Sequence, residues 1–318
     1  MAINISLLIL GFVLLIKGAD WLVDGSSALA RKHNVSDLAI GLTVVAFGTS
    51  MPELVINSFA AYQSNPDIAF GNIIGSNIFN LFAILGITGL IVPLTVQSST
   101  VWREIPLSFL AIVVLFLLAN SIFSDNTVLS RPEGMILLLL FAFFLWYVFR
   151  QMKSEQLPEE VNQKTFTNLR ISLFIILGLV SLVAGGRFVV TGSVKIAETL
   201  GVSQTVIGLT IVAIGTSLPE LATSTVAAIK KNNDIAVGNI IGSNIFNIFL
   251  VLGVSSLIKP LNYNPGFNKS LYLLGFGTIL LFIAMFSGKK KRLDRWEAAI
   301  LLAIYIGYTI FLINQELK

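Results

Sequence analysis

The chain has 318 residues, of which 55% are hydrophobic and only 12% charged, and its mean hydropathy is +0.85. Because soluble domains carry roughly 25% charged residues, this composition excludes an ordinary soluble protein. With no cysteine and one histidine, the chain cannot form disulfides or thiolate or histidine-rich metal centres. Its net charge is +4, and its lysines and arginines lie in short clusters between apolar runs. This distribution predicts a role in membrane orientation rather than nucleic-acid binding.

Ten apolar stretches are long enough to form transmembrane helices, since about 20 apolar residues cross the hydrocarbon core. The predicted fold class is therefore an all-α integral membrane protein. We expect the first span to be uncleaved, because it lacks a basic leader and has a counterpart later in the chain. The predicted spans cover residues 3–23, 38–62, 68–91, 104–122, 128–149, 169–190, 204–229, 235–258, 269–287 and 294–314.

Lysine and arginine are divided unequally between the two sides that ten spans define. The loops after the odd-numbered spans hold 14 of them, and the opposite side holds 6. Since basic residues accumulate on the cytoplasmic side, we expect a multi-pass protein of the cell (inner) membrane with both termini outside. The 151–168 connector would then be cytoplasmic.

The chain contains an internal repeat. Residues 41–86 align with 208–253 without a gap and share 30 identities in 46 positions, which indicates duplication. Each half has five spans, an odd number, so the second half must enter the membrane with the opposite orientation. The sequence predicts two inverted five-helix repeats, 1–150 and 169–318, around the 151–168 linker, with a site at their interface.

Spans 2 and 7 are predicted to break in the middle. Gly48 and Pro52 bracket three residues of span 2, and Gly215 and Pro219 do the same in span 7. Proline removes a backbone donor and clashes with the preceding turn, so each helix should kink there.

Spans 3 and 8 each carry a polar face with a four-residue spacing, which places the side chains on one side of a helix. For four asparagines we favour interhelical hydrogen bonding over ion contact: Asn72, Asn77, Asn239 and Asn244. The polar residues on these faces are Asn72, Ser76 and Asn80 in span 3, and Asn239, Ser243 and Asn247 in span 8.

Glu53 and Glu220 lie near mid-bilayer, where an unpaired charge costs about 2.5 to 3.5 kcal/mol. With no lysine or arginine in the same segments, the pair predicts a bound cation. The surrounding oxygens favour Ca²⁺, Mg²⁺ or Na⁺ over zinc or copper. The predicted nearest donors are the side chains of Thr49, Ser50, Ser76, Asn80, Thr216, Ser217, Ser243 and Asn247, with carbonyls freed at about Ala46 and Ala213.

An alternative interpretation of the same segments is purely structural. Ser50 followed by Glu53, and Ser217 followed by Glu220, also match a capping box, in which each serine caps a helix and the glutamate reaches back. We favour the cation site, because two mid-membrane carboxylates are a costly way to cap helices.

At these motifs the chain resembles the sodium/calcium exchanger branch of the cation/calcium exchanger superfamily, in its prokaryotic form without a regulatory domain. GTSMPE at 48–53 and GTSLPE at 215–220 match the family pattern G-T-S-x-P-E, and GSNIFN at 75–80 and 242–247 matches G-S-N-x-x-[ND]. The resemblance implies ten helices, four clustered cation sites, and spans 1 and 6 that slide against the other eight. It also implies Ca²⁺ and Na⁺ sites bridged by Glu53 and Glu220, ligands from Thr49, Thr216, Ser76 and Ser243, support from Ser50 and Ser217, and carbonyls from Ala46 and Ala213.

The function expected is therefore secondary antiport of Na⁺ against Ca²⁺ by alternating access, with both ions as transported substrates and no resident cofactor. The family stoichiometry implies net charge movement. Some relatives have aspartate where this chain has Asn247, and the missing charge predicts K⁺-independent exchange. We expect a monomer to function, since one chain supplies both halves of the site.

Three other functions fit the sequence less well than Na⁺/Ca²⁺ exchange. Ca²⁺/H⁺ antiport through the same glutamates is the nearest alternative. A channel is disfavoured, because channels more often place like residues from several subunits around an open path. An enzyme is not expected, because no Ser/His or paired-Asp arrangement is visible and His33 lies in a loop.

Overall fold

The computed structural model describes residues 2–120, 127–152, 166–201 and 213–316. Within these ranges eight helices are long and apolar enough to cross a membrane, and a bent pair forms a further span. The helices are α1 (Ala2–Lys32), α2 (Asp37–Thr49), α3 (Met51–Tyr62), α4 (Pro66–Ile91), α5 (Thr100–Ala119), α6 (Arg131–Met152), α7 (Asn168–Thr199), α8 (Leu218–Ile229), α9 (Asn233–Ile258), α10 (Pro265–Ala284) and α11 (Arg295–Glu316).

These helices match the predicted spans, and the fold class is confirmed. The predicted ends of spans 1 and 6 are wrong, because α1 and α7 continue to Lys32 and Thr199 as helices of 31 and 32 residues. Charged side chains at the membrane surface end an apolar run in the sequence without ending the helix. The first part of span 7 falls in 202–212 and most of the 151–168 linker in 153–165, outside the described residues.

Helices α1 and α7 show the inversion of the repeats directly. An ideal Cβ on Gly11 would lie 2.9 Å from the Gly185 carbonyl oxygen, and one on Gly18 would lie 2.9 Å from that of Gly178. Since Gly11 is equivalent to Gly178 and Gly18 to Gly185 at the repeat offset, a two-fold operation exchanges the two contacts. The helices therefore run antiparallel with their backbones in close approach.

Four short strands join one repeat to the other. Strand β1 (Leu94–Thr95) pairs with β4 (Arg292–Leu293), and β2 (Val128–Leu129) pairs with β3 (Leu261–Asn262), both antiparallel. The two ladders are equivalent under the repeat, so the halves are tied together at both ends of the bundle.

Helices α4 and α9 form the centre of the molecule and are almost wholly buried, whereas α6 and α11 expose most of their apolar surface. This division follows from the sequence, because α4 and α9 carry glycines and asparagines on faces where other helices approach closely. The broken helices cross this centre, which places their breaks in the protein interior.

Candidate cation-binding site

The site is built around two symmetric helix breaks. Ser50 separates α2 from α3, which are bent by 47° relative to each other, and its backbone angles are φ −84° and ψ 6°. Ser217 precedes α8 with nearly the same angles, φ −92° and ψ 7°. The predicted break of span 2 is confirmed, and Ser217 takes the same backbone conformation at the equivalent position.

The break does not free the carbonyl that the sequence predicted. The Ala46 carbonyl accepts the Ser50 N–H at 3.0 Å and the Thr49 hydroxyl at 3.4 Å, so it is not freed as predicted. Its role as a ligand stays a prediction. The missing donor is that of Pro52, whose helical acceptor would be Gly48. In the second repeat the Ser217 N–H donates to the Ile214 carbonyl at 3.1 Å, and the Ala213 carbonyl remains a predicted ligand.

Glu53 and Glu220 lie in the first turns of α3 and α8 and are fully buried. Each carboxylate accepts from one serine of its own repeat and one of the other. Ser76 and Ser217 donate to Glu53 Oε1, both at 3.4 Å. Ser50 and Ser243 donate to Glu220 Oε1 at 3.2 and 3.3 Å.

This crossing of serines contradicts the capping-box interpretation. The Ser50 and Ser217 side chains make no hydrogen bond with the helices that they precede. Each instead reaches the glutamate of the opposite repeat, so the two breaks and the two carboxylates form a single site.

The two threonines of the breaks are held by asparagines of the opposite repeat. Thr49 donates to Asn239 Oδ1 at 3.0 Å, and Thr216 donates to Asn72 Oδ1 at 3.4 Å. Thr216 is also 3.5 Å from the Ser76 hydroxyl. All the predicted hydroxyl donors therefore lie beside the carboxylates or one side chain away.

A cluster of four asparagines closes the site between α4 and α9. Asn77 and Asn244 each donate to the other's carbonyl, at 3.1 and 3.5 Å. Asn80 donates to Asn244 Oδ1 at 3.1 Å, and Asn247 donates to Asn77 Oδ1 at 2.9 Å. The predicted interhelical role of Asn77 and Asn244 is confirmed, while Asn80 and Asn247 use only their amide nitrogens in this way.

Two positioning residues were missed by the sequence reasoning. Asn57 accepts the Asn72 amide at 2.8 Å and donates to the Ala69 carbonyl at 3.1 Å. Its equivalent, Ser224, accepts the Asn239 amide at 3.0 Å. A signal was available, since both lie four residues after a glutamate and so share its helical face.

Four buried oxygens of the site have no hydrogen-bond partner among the described residues: Glu53 Oε2, Glu220 Oε2, Asn80 Oδ1 and Asn247 Oδ1. They are two symmetric pairs. Neither glutamate forms an ion pair with lysine or arginine in the described part of the chain. Buried acceptors without donors are costly, and oxygen atoms are the donor type that hard cations prefer.

Comparison with known proteins agrees with this geometry. The family model for the sodium/calcium exchanger protein matches residues 3–150 and 171–314. The chain belongs to the sodium/calcium exchanger family. Within this family it is 32% identical to the sodium/calcium exchanger MaX1 of Methanosarcina acetivorans over 98% of both chains. It is 40% identical to the putative antiporter CaxA of Alkalimonas amylolytica over 96% of this chain and 98% of the relative.

The exchanger fold is also seen in solved structures. A structure of the sodium-calcium exchanger NCX_Mj soaked with zero Na⁺ and Ca²⁺ superposes with a TM-score of 0.83 at 33% identity, covering 98% of this chain and all of that one. A structure of the same exchanger soaked with 10 mM Na⁺ and 10 mM Sr²⁺ gives a TM-score of 0.81 at 34% identity, covering 96% and 97%. The chain is thus a multi-pass membrane protein with the exchanger fold.

Proposed function

We propose that this protein exchanges Na⁺ for Ca²⁺ across the membrane by alternating access, with the ions bound between the two inverted repeats. The observation that carries the proposal is the symmetric set of four unpartnered oxygens around the Glu53 and Glu220 carboxylates. The names of the relatives MaX1 and NCX_Mj support the pair of ions.

Competition for the carboxylates produces exchange. The two glutamates supply two formal negative charges, and within the described residues no group of three or more acidic, histidine or cysteine side chains adds to them. One Ca²⁺ neutralises this charge, and three Na⁺ exceed it. Since both ion sets need the same two carboxylates, they cannot be bound together, and the exchange of three Na⁺ for one Ca²⁺ moves net charge.

The ligand set of the proposal follows the two-fold symmetry. Asn247 adds no formal charge where some relatives have aspartate, and this supports exchange without K⁺. One chain supplies both halves of the site, so the monomer is the transporting unit. The protein lies in the cell membrane with both termini outside. The proposed ligands and their supports are Glu53, Glu220, Thr49, Thr216, Ser50, Ser217, Ser76, Ser243, Asn80, Asn247 and the Ala46 and Ala213 carbonyls.

The test is Ca²⁺ uptake into proteoliposomes loaded with Na⁺ or with choline, without K⁺ and with the pH gradient collapsed. We expect uptake that requires internal Na⁺ and is abolished by Glu53→Gln. Asp67→Asn removes an exposed carboxylate at the start of α4 and serves as the matched control, with uptake near that of the unmodified protein.

Two results would contradict the proposal. Uptake that ignores Na⁺ but follows an imposed pH gradient would assign the protein to Ca²⁺/H⁺ antiport at the same glutamates. Uptake that survives Glu53→Gln would remove the carboxylate pair from the transport site.

A further inference from the structure

The turn between α10 and α11 carries an uninterrupted basic run. Lys289, Lys290 and Lys291 are exposed, and none forms an ion pair in the described part of the chain. Arg295 is exposed and donates to the Ile91 carbonyl at 3.3 Å. Arg103 is also exposed. It lies at the same end of the molecule, since the ring of the neighbouring Trp102 packs on Phe282 and Phe286 with centroid distances of 5.8 and 5.4 Å.

The turn and its β-ladder do not require these lysine side chains in order to form. In the two equivalent ladders, Arg292 and Leu293 of β4 correspond to Val128 and Leu129 of β2. The positions equivalent to Lys289, Lys290 and Lys291 are then Asp125, Asn126 and Thr127 in the first repeat. One repeat forms its ladder without the positive charge, so the ladder does not need it. The charge agrees with the predicted cytoplasmic side of this turn, where it faces the head groups of the inner leaflet.

The backbone of the basic turn is held in one conformation. The Lys291 N–H donates to the Met285 carbonyl at 2.8 Å, and the Lys291 carbonyl accepts the Val96 N–H at 2.9 Å. Asp294 accepts the Lys289 N–H at 3.1 Å and the Arg292 Nε–H at 2.5 Å. These two donors hold the pKa of Asp294 below its usual range, so the anchoring carboxylate stays ionised.

An apolar groove lies between α10 and α11, directly next to this turn. Its cavity is about 160 Å³, and its lining includes Leu280, Ile283, Leu293, Trp296 and Ile300. The side chains of Ile283, Trp296 and Ile300 are about half exposed. The groove is closed at the turn by the hydrogen bond from Ser287 to Glu297.

We propose that the basic turn and the groove together form a docking site for an anionic phospholipid. The phosphate-bearing head group binds Lys289, Lys290 and Lys291, and the first methylene groups of one acyl chain lie in the groove against Trp296. Charge complementarity selects this occupant, because several exposed cations border an apolar groove at the membrane surface, where anionic lipids are attracted by basic clusters.

The groove tryptophan reports on the lipid directly. Trp21, Trp102 and Trp146 are replaced by Phe, so that Trp296 is the only tryptophan left. The protein is placed in vesicles in which either phosphatidylglycerol or phosphatidylcholine carries brominated acyl chains, which quench tryptophan on contact. Retained Ca²⁺ uptake verifies that the variant is folded.

We expect brominated phosphatidylglycerol to quench Trp296 more strongly than brominated phosphatidylcholine at equal mole fraction. Replacing the three turn lysines by Gln should lower the relative lipid affinity by about fivefold per lysine. Replacing the same lysines by Arg, which keeps the charge, should preserve the preference.

The matched control replaces three lysines that are predicted on the same side but lie far from the turn in the sequence, at positions 32, 153 and 164. Its lipid preference should equal that of the unmodified turn. Equal quenching by the two lipids would overturn the proposal. Loss of the preference in the control variant as well would also overturn it, because the attraction would then be diffuse rather than local.

Discussion

The close approach of α1 and α7 can be tested by adding one methyl group. An ideal Cβ on Gly18 would lie 2.9 Å from the Gly178 carbonyl oxygen and the Leu182 N, and 2.9 Å from Ser181 Cβ. Two of these neighbours are backbone atoms of a long helix, which cannot rotate away. Gly18→Ala therefore forces the helices apart by about 0.5 Å to reach ordinary van der Waals separation.

The cost of this separation is estimated from overpacked cores, where added methylenes destabilise by about 1–3 kcal/mol. Alanine recovers about 1 kcal/mol of helix propensity, so Gly18→Ala should be destabilising by up to about 2 kcal/mol. Gly307→Ala is the matched control, because nothing lies within 4 Å of its added Cβ, and it should be neutral or stabilising.

The assay is thermal unfolding of both variants in the same detergent, together with Na⁺-dependent Ca²⁺ uptake. The opposite signs of the two shifts in melting temperature are the expected result. A Gly18→Ala protein as stable as Gly307→Ala would show that α1 and α7 are not packed backbone to backbone.

Three further substitutions test particular contacts. Asn57→Ala leaves the Asn72 amide without its acceptor and should weaken Ca²⁺ binding by about 1–3 kcal/mol. Asn57→Ser copies the serine of the second repeat and should bind Ca²⁺ nearly normally. Equal half-saturation of Ca²⁺ uptake in the two variants would contradict this role of Asn57. Asn247→Asp adds a carboxylate to the site, so K⁺ should then stimulate Ca²⁺ uptake, and uptake indifferent to K⁺ would reject our reason for K⁺ independence. Gly288 has φ +52°, and a Cβ added there would lie 2.5 Å from a carboxylate oxygen of Asp294. Gly288→Ala should therefore lower the unfolding free energy by about 1–2 kcal/mol, measured by thermal melting. An unchanged melting temperature would contradict the fixed conformation of this turn.

Much of the architecture could be predicted from the sequence because its causes are local or repeated. Apolar length defines the spans, and the duplication with an odd number of spans defines the inversion. Proline has no N–H wherever it occurs, so the break before Pro52 was predictable. Mid-membrane position alone singled out Glu53 and Glu220, since a buried charge is costly in any fold.

Tertiary structure alone decided which groups meet. The Ser50–Glu53 spacing is compatible with a capping box, yet Ser50 donates to Glu220, because the opposite repeat brings a second acceptor within 3.2 Å. Asn57 holds Asn72 only because α3 and α4 pack side by side. Such contacts depend on how segments that are distant in the sequence pack around the two-fold axis. The sequence shows which residues repeat, but it does not show which of them come into contact. The sequence by itself determined the spans, the inversion of the repeats and the two buried glutamates. Packing around the two-fold axis determined which hydroxyl and amide groups surround their carboxylates.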